Sequence, residues 1–311
     1  MIKTLIKSLL KVAALGAFIF ELIGTKEGKP EGNVQLHPIK LSGRTIFIRE
    51  QEIFIRESYL DKKPVLVLLH SWGSDSLGSW FKTIPLLQEN YSIVAIDLKN
   101  HGRTDGSWSR WDIAENADMV ATVLKELKIE KSILIGWSIG SAVALAVTKN
   151  YSELISKQVL ITPFAWTVNT EYSEKPWFNL VVGLVRIRER IFPRYNSNSK
   201  YKFLRDSESL NDEYSDWAWS NLNRSKDAFI YQDGSRYVVP FDARTWAHEV
   251  STPTLAIIGG KDKLVPENVA RELTDLLPDV KVRKISGATH AIPWSHAEDL
   301  SKHIKDFLVD L

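Results

Sequence analysis

Short apolar runs that lack any polar alternation constrain the fold of this chain more than any other feature of its 311 residues. A strand with one solvent-facing side alternates apolar and polar residues, whereas a strand that is covered on both faces is apolar throughout. The runs of the second kind are Val65–Leu69, Ile93–Ile96, Ile133–Ile135, Val159–Ile161 and Leu255–Ile258. They predict a parallel sheet that is covered by helices on both faces.

Helical and hairpin patterns complete this architecture. The clearest helical pattern spans residues 112–127, where apolar residues recur along one face. Ahead of the first buried run, Thr45–Arg49 and Glu52–Glu57 alternate apolar and polar residues around a polar turn, which predicts an antiparallel hairpin. Strands that alternate with helices predict a doubly wound α/β domain.

The alternation of strands and helices stops between residues 165 and 248. This segment is helical in tendency and rich in aromatic residues, and a buried-strand pattern resumes at Thr252. We therefore expect a core made of residues 34–164 and 249–311, with residues 165–248 as an insertion. A chain of this length can hold one large core that carries such an insertion.

The first 33 residues differ in composition from the rest. Lysines precede the apolar stretch Val12–Phe20, a pattern typical of a secretory signal peptide. On a helix these lysines would share one face, as in an interfacial membrane helix. We expect residues 1–24 to direct export or contact a membrane surface, followed by a linker that ends at residue 33. If residues 1–24 instead pack on the domain, a cytoplasmic location is expected.

Composition excludes several classes of function. The chain has no cysteine, so disulfides, thiolate metal sites and cysteine nucleophiles are absent. Its formal net charge of +2 is too small to indicate nucleic-acid binding. Because no group of His, Asp and Glu has metal-ligand spacing, we expect neither a metal nor an organic cofactor.

The strongest chemical signal is the G-x-S-x-G motif at residues 136–140. It follows a buried run and opens an apolar helical pattern at Ala142–Val147. In this setting the motif predicts a sharp strand-to-helix turn that presents the Ser138 hydroxyl above the sheet edge. We expect Ser138 to be a nucleophile.

A serine nucleophile needs a base, and the base needs an acid that orients it. Asp262 follows a buried strand, and His290 follows the next strand-like run, so the order Ser, Asp, His is the one expected of such a triad. Among the seven histidines, His290 is favoured over His296, which lies at a predicted helix start. Glu267 competes with Asp262 as the acid but lies further past its strand.

The turn after Val65–Leu69 is the second candidate part of the site. Backbone N–H groups of Trp72 and Ile139 would bind the oxyanion of a tetrahedral intermediate. The aromatic side chains expected to bind substrate are Trp72, Trp137 and Trp177. An aromatic pocket indicates an apolar acyl or aromatic substrate.

These motifs resemble those of the α/β-hydrolase fold family over nearly all of residues 34–311. The resemblance implies a mostly parallel sheet of about eight strands, with helices on both faces and a helical cap at residues 165–248. The motifs that carry it are residues 70–73, 97–104, 136–140, 260–262 and 287–290. Ser71 and Asn100 stand where many members have glycine.

The Gly-Trp-Ser-Ile-Gly motif is also similar to that of carboxylesterases that cleave the methyl ester of a pimeloyl carrier protein. Those enzymes use basic cap residues against the acidic carrier, and residues 186–205 of this chain are rich in arginine and lysine. A solvated helix face or a patch that meets anionic lipid is favoured over a carrier-protein site.

Ester hydrolysis by Ser138, His290 and Asp262, on a small-molecule substrate, is the function that the sequence favours. The same triad could instead cleave a thioester, lactone, peptide or C–C bond, since the pocket determines which bond reacts. A ligand-binding protein on a hydrolase scaffold is the remaining alternative.

Overall fold

The computed structural model describes residues 41–48, 51–72, 74–104, 111–167 and 241–309. Every predicted buried run lies on a strand, and the predicted hairpin is present. The strands are β1 Gly43–Ile48, β2 Gln51–Ser58, β3 Val65–Leu69, β4 Ser92–Ile96, β5 Ser132–Trp137, β6 Ile155–Ile161, β7 Thr254–Gly259 and β8 Val280–Ile285. The described helices are α1 Ile84–Leu87, α2 Ile113–Glu126, α3 Ile139–Asn150, α4 Glu267–Thr274, α5 Ile292–Ser295 and α6 Ala297–Leu308.

The strands form one eight-stranded sheet in the order β1-β2-β4-β3-β5-β6-β7-β8. β1 pairs with β2, and β2 with β4, in antiparallel register. All the pairs from β4 to β8 are parallel. The carboxyl ends of the parallel strands therefore lie at one edge of the sheet.

Both faces of the sheet are buried along the inner strands β3 to β7, which explains why their apolar runs do not alternate with polar residues. On β3, Val67 and Leu69 pack into a cluster that includes apolar residues of α2 and α3. Their neighbours Leu66 and Leu68 point the other way, into a cluster that includes residues of α1 and α6. All four side chains are fully buried. Each such burial stabilises the fold by roughly 1.5–3 kcal/mol relative to an exposed side chain.

Helix α2 has the start and the buried face that its sequence predicts. The carboxylate of Asp112 accepts hydrogen bonds from the backbone N–H groups of Ala114 and Glu115, at 2.6 and 3.3 Å. This caps donors that lack a partner inside the helix. The buried face consists of Ile113, Asn116, Ala117, Met119, Val120, Ala121, Val123 and Leu124.

Strand β8 lies at the edge of the sheet and differs from the inner strands. Lys281, Arg283 and Lys284 are exposed on it, while Ile285 is buried. Charged side chains on an edge strand discourage pairing with a second sheet. This location explains why the sequence of β8 is not an uninterrupted apolar run.

The two ends of the predicted insertion lie side by side. Trp166 and Asp242 form an antiparallel bridge, and the Thr167 N–H donates to the Phe241 carbonyl at 2.9 Å. The chain therefore leaves the core after β6 and returns before β7 at almost the same place. Residues 168–240, which hold most of the predicted cap, lie outside the described residues, as do residues 1–40.

No helix in the described ranges is long and apolar enough to cross a membrane.

Replacing the capping carboxylate tests the start of α2. We expect Asp112→Ala to lower the free energy of unfolding by about 1 kcal/mol, because two backbone N–H groups lose their acceptor. Urea denaturation measures this change. Glu126→Ala, at the exposed far end of the same helix, serves as the control. An Asp112→Ala effect no larger than that of the control would contradict the capping role.

Candidate active site

Ser138 occupies a strained turn between β5 and α3. Its backbone has φ 55° and ψ −116°, a conformation that costs a residue with a side chain roughly 1–3 kcal/mol. The Ser138 N–H donates to the carbonyl of Ile161, the last residue of β6, at 2.8 Å. This bond fixes the turn against the neighbouring strand and presents the serine side chain at the carboxyl edge of the sheet.

The glycines of the turn are required by close approach. A Cβ atom on Gly136 would lie 2.2 Å from the carbonyl oxygen of Gly140, and one on Gly140 would lie 2.4 Å from the carbonyl oxygen of Leu69. Both distances are shorter than any van der Waals contact. The start of α3 therefore rests directly on the end of β3, which brings the loop after β3 to the nucleophile turn.

Ser138, His290 and Asp262 form a continuous chain of hydrogen bonds. His290 Nε2 lies 3.0 Å from Ser138 Oγ, and His290 Nδ1 lies 2.8 Å from Asp262 Oδ2. The other Asp262 oxygen accepts from the backbone N–H groups of Leu264 and Val265, at 2.8 and 2.9 Å. Because a carboxylate only accepts, His290 Nδ1 carries the proton and Nε2 is free to accept from the serine hydroxyl.

The loops that carry the acid and the base are joined to each other. Asp262 follows β7, and His290 follows β8, its parallel neighbour. The Lys261 N–H donates to the Ala288 carbonyl at 2.8 Å, which connects the two loops close to both side chains. The Asp262 side chain is fully buried, while that of His290 is 18% exposed. A substrate can therefore reach the imidazole but not the carboxylate.

The competing candidates make their bonds elsewhere. His296 Nδ1 lies 2.8 Å from Ser295 Oγ, at the start of α6. Glu267 forms ion pairs with Lys284 and Arg271 on the surface of α4. Neither belongs to the hydrogen-bonded chain of Ser138.

The two predicted oxyanion donors lie on two different elements. Ile139 is the first residue of α3, where a backbone N–H has no partner inside the helix. Trp72 lies in the loop after β3, partly exposed. Its ring packs edge-on against His101 and Trp111, with centroids 4.9 and 5.1 Å away. Their part in oxyanion binding stays a prediction.

His70 connects the loops after β3 and β4, a role that the sequence did not indicate. Its Nδ1 lies 2.8 Å from the Ser71 carbonyl, and its Nε2 accepts from the Leu98 N–H at 2.8 Å. These partners require the neutral ring with its proton on Nδ1. Burial lowers the pKa of His70 to about 4, since a charged imidazole is disfavoured away from water.

Asp97 joins the same two loops through its carboxylate. It accepts from the backbone N–H groups of Ser76 at 2.7 Å and Arg103 at 2.9 Å. Burial and the nearby charge of Asp75 raise the pKa of Asp97 to about 6. The sequence signals for His70 and Asp97 are that each directly follows a buried strand and that each begins one of the motifs that resemble those of the family.

The predicted substrate-binding tryptophans are placed differently from one another. Trp72 is partly exposed in the loop after β3, whereas Trp137 is only 2% exposed. Trp177 lies outside the described residues, together with the basic segment 186–205. Their contact with substrate stays a prediction. Within the described ranges, no group of three or more His, Asp or Glu side chains is arranged to hold a metal ion.

Comparison with known proteins gives a family model and several relatives. The model, described as alpha/beta hydrolase fold, matches residues 64–297. An uncharacterised hydrolase of Bacillus subtilis, YugF, is 25% identical over 79% of this chain and 90% of its own length. The pimeloyl-[acyl-carrier protein] methyl ester esterase of Vibrio parahaemolyticus is 26% identical over 79% of this chain and 95% of its own length. The 2-hydroxy-6-oxo-6-(2'-aminophenyl)hexa-2,4-dienoic acid hydrolase of Metapseudomonas resinovorans is 25% identical over 82% of this chain and 88% of its own length.

Solved structures share the fold at lower identity. A serine hydrolase involved in carbazole degradation has a TM-score of 0.70 and 20% identity, and the match covers 87% of this chain and all of that one. A bacterial membrane phospholipase A has a TM-score of 0.69 and 20% identity, and the match covers 100% of this chain and 99% of that one. At these identities the likeness shows the fold alone.

The buried neutral state of His70 predicts a pH-dependent stability. The unfolded-state pKa is about 6.5, and the folded-state pKa is about 4. The folded state therefore binds fewer protons, and the contribution of His70 is lost as the pH falls from about 6.5 to 4. The destabilisation caused by His70→Asn should thus be largest at pH 7 and about 3 kcal/mol smaller at pH 4. Urea unfolding of both proteins at each pH measures the difference, and a penalty that does not change with pH would contradict this prediction.

Proposed function

Because the chain belongs to the α/β-hydrolase fold family, we propose that it hydrolyses a carboxylic ester with Ser138, His290 and Asp262 as its catalytic triad. Relatives named as hydrolases and esterases identify the chain as a hydrolase. The observation that carries the triad assignment is the continuous path of hydrogen bonds from Ser138 Oγ through His290 to Asp262. Its geometry matches a nucleophile, a general base and an orienting acid.

In the acylation step, Ser138 Oγ attacks the ester carbonyl carbon while its proton passes to His290 Nε2. The buried carboxylate of Asp262 holds the ring and stabilises the imidazolium that forms. When the tetrahedral intermediate collapses, its C–O bond to the leaving group breaks. His290 returns the proton to the departing alkoxide. The products of this step are an alcohol and an acyl group on Ser138.

In the deacylation step, water takes the place of the serine hydroxyl as nucleophile. His290 accepts a proton from the water as its oxygen attacks the acyl carbon. Collapse of the second intermediate breaks the bond to Ser138 Oγ, and the proton passes from His290 to that oxygen. The carboxylic acid leaves, and the enzyme returns to its starting state.

The negative oxygen of both intermediates needs hydrogen-bond donors. We assign this role to the backbone N–H groups of Ile139 and Trp72. The position of Ile139 at the start of α3 supports the assignment, since the helix dipole favours negative charge there. The packing of Gly140 on the end of β3 supports the part of Trp72, because it holds the two loops together.

The substrate that we propose is a small ester with an apolar acyl or aromatic group. The partly exposed ring of Trp72 supports this class, and the Vibrio relative is named as an esterase of a pimeloyl methyl ester. An acyl group delivered by an acidic carrier protein is a variant of the same reaction.

Hydrolysis of a C–C bond is the second candidate. The Metapseudomonas relative is named as a hydrolase of a hydroxy-oxo-dienoic acid, a compound without an ester group. The same serine and histidine could act on such a ketone, because the pocket rather than the triad determines which bond reacts. Thioesters, lactones and peptides remain alternatives on the same basis, as does binding without catalysis.

Removal of the nucleophile tests the proposed triad. We expect Ser138→Ala to lower kcat on a p-nitrophenyl ester by several orders of magnitude, up to about a million-fold as in a related triad. Labelling by a fluorophosphonate probe should disappear in the same variant. Ser156→Ala is the control, because Ser156 lies near the amino end of β6, away from the site. Turnover by Ser138→Ala close to that of the control would overturn the assignment, and a wild type that does not label would favour a binding protein.

A substrate panel tests the proposed bond. We expect p-nitrophenyl esters with apolar acyl chains to give the highest kcat/KM, measured beside a thioester, a lactone and a 6-oxo-dienoic acid. An apolar pocket favours longer acyl chains by about 0.8 kcal/mol per buried CH₂ group until it is filled. A higher kcat/KM on the dienoic acid would replace ester hydrolysis by the second candidate.

A further inference from the structure

Trp137 connects the nucleophile to the base. It is the last residue of β5 and is joined by a peptide bond to Ser138. Its indole Nε1–H donates to the backbone carbonyl of His290 at 3.0 Å. The two ring planes lie at 39°, with centroids 6.1 Å apart. One side chain thus reaches from the peptide before the serine to the peptide of the histidine.

His290 depends on such bonds because it lies in no helix or strand. The connection that carries it runs from residue 286 to residue 291, between β8 and α5. The bond from the Lys261 N–H to the Ala288 carbonyl holds this connection on the side of the acid loop. The bond from Trp137 holds it on the side of the nucleophile. The imidazole is therefore fixed from its backbone as well as by Asp262.

The Trp137 ring lies in a buried cluster with two other tryptophans. It packs edge-on against Trp294, with centroids 5.0 Å apart, and against Trp80, with centroids 6.5 Å apart. The Trp294 indole N–H donates to the Gly78 carbonyl at 2.9 Å. These side chains are at most 7% exposed, so the Trp137 indole is packed in one orientation.

We propose that Trp137 is a positioning residue that sets the approach of His290 Nε2 to Ser138 Oγ. This inference rests on the proposed triad and gives Trp137 a role other than contact with substrate. Rates of proton transfer depend on the geometry of the reacting groups, and a displacement of about 1 Å lowers a rate by up to ~100-fold. Loss of the indole hydrogen bond therefore lowers kcat. A substrate contact, in contrast, acts first on KM.

The experiment replaces Trp137 by phenylalanine, which keeps an aromatic ring and removes the N–H donor. Trp80→Phe is the matched control. Trp80 belongs to the same buried cluster, and its Nε1 has no hydrogen-bond partner in the described part of the chain. The measurements are kcat and KM on a p-nitrophenyl ester, the rate of fluorophosphonate labelling, and the melting temperature of each variant.

We expect Trp137→Phe to lower kcat and the labelling rate by about tenfold or more, with KM within about twofold of wild type. Trp80→Phe should stay within about twofold in every rate. Equal losses in the two variants, or a change confined to KM, would overturn the inference.

If Trp137→Phe does not fold, a crystal structure of the wild type decides: an Nε1-to-carbonyl distance above 3.5 Å would overturn it. An inert wild type would overturn the proposed triad together with this inference, whereas an active wild type with an unimpaired Trp137→Phe variant would overturn this inference alone.

Discussion

The parallel hydrogen-bond ladder continues past the ends of the strands, and the whole site depends on this extension. In each case the first backbone N–H beyond one strand donates to a carbonyl at or near the carboxyl end of the neighbouring strand. The bonds run from Ser138 to Ile161, from Thr162 to Ile257 and from Gly260 to Ile285, at 2.8, 2.8 and 2.9 Å. These bonds continue the regular pairing of the strands into the loops. Loops that are usually the most mobile part of a domain are therefore fixed at the point where the nucleophile and the acid emerge.

Much of the fold was predictable because burial on both faces leaves a clear mark in sequence. The buried strands, the hairpin, the helix after Asp112 and the order of Ser138, Asp262 and His290 all follow from local patterns. Each of those patterns is formed by residues that lie close together in the sequence.

The hydrogen bonds of His70 and Trp137 were not predictable, for the opposite reason. Their partners lie 28 and 153 residues away, and a hydrogen bond to a distant backbone atom leaves no repeat in the sequence. The sequence shows that Trp137 lies next to Ser138, which favours contact with substrate, but it does not show that the ring is buried. The Leu98 N–H that holds His70 is likewise a backbone group, and any residue at position 98 other than proline would supply it.

The loops that surround the site contain buried titratable groups with opposite effects on stability. His70 favours the folded state least in acid, since its pKa falls on folding. Asp97 stabilises the folded state most in acid, since its pKa rises on folding to about 6 and burial favours its protonated form. Both changes take place between about pH 4 and pH 6.5. The two groups therefore affect stability in opposite directions across that interval.

The bridge between Trp166 and Asp242 allows the segment between them to be exchanged for another sequence. Because its two ends leave the core as paired neighbours, a graft of different length or sequence needs no rearrangement of the sheet. The entropic cost of closing a loop grows only slowly with its length, so a large insert costs little more than a short one. The same core can in this way carry insertions of many different lengths and sequences.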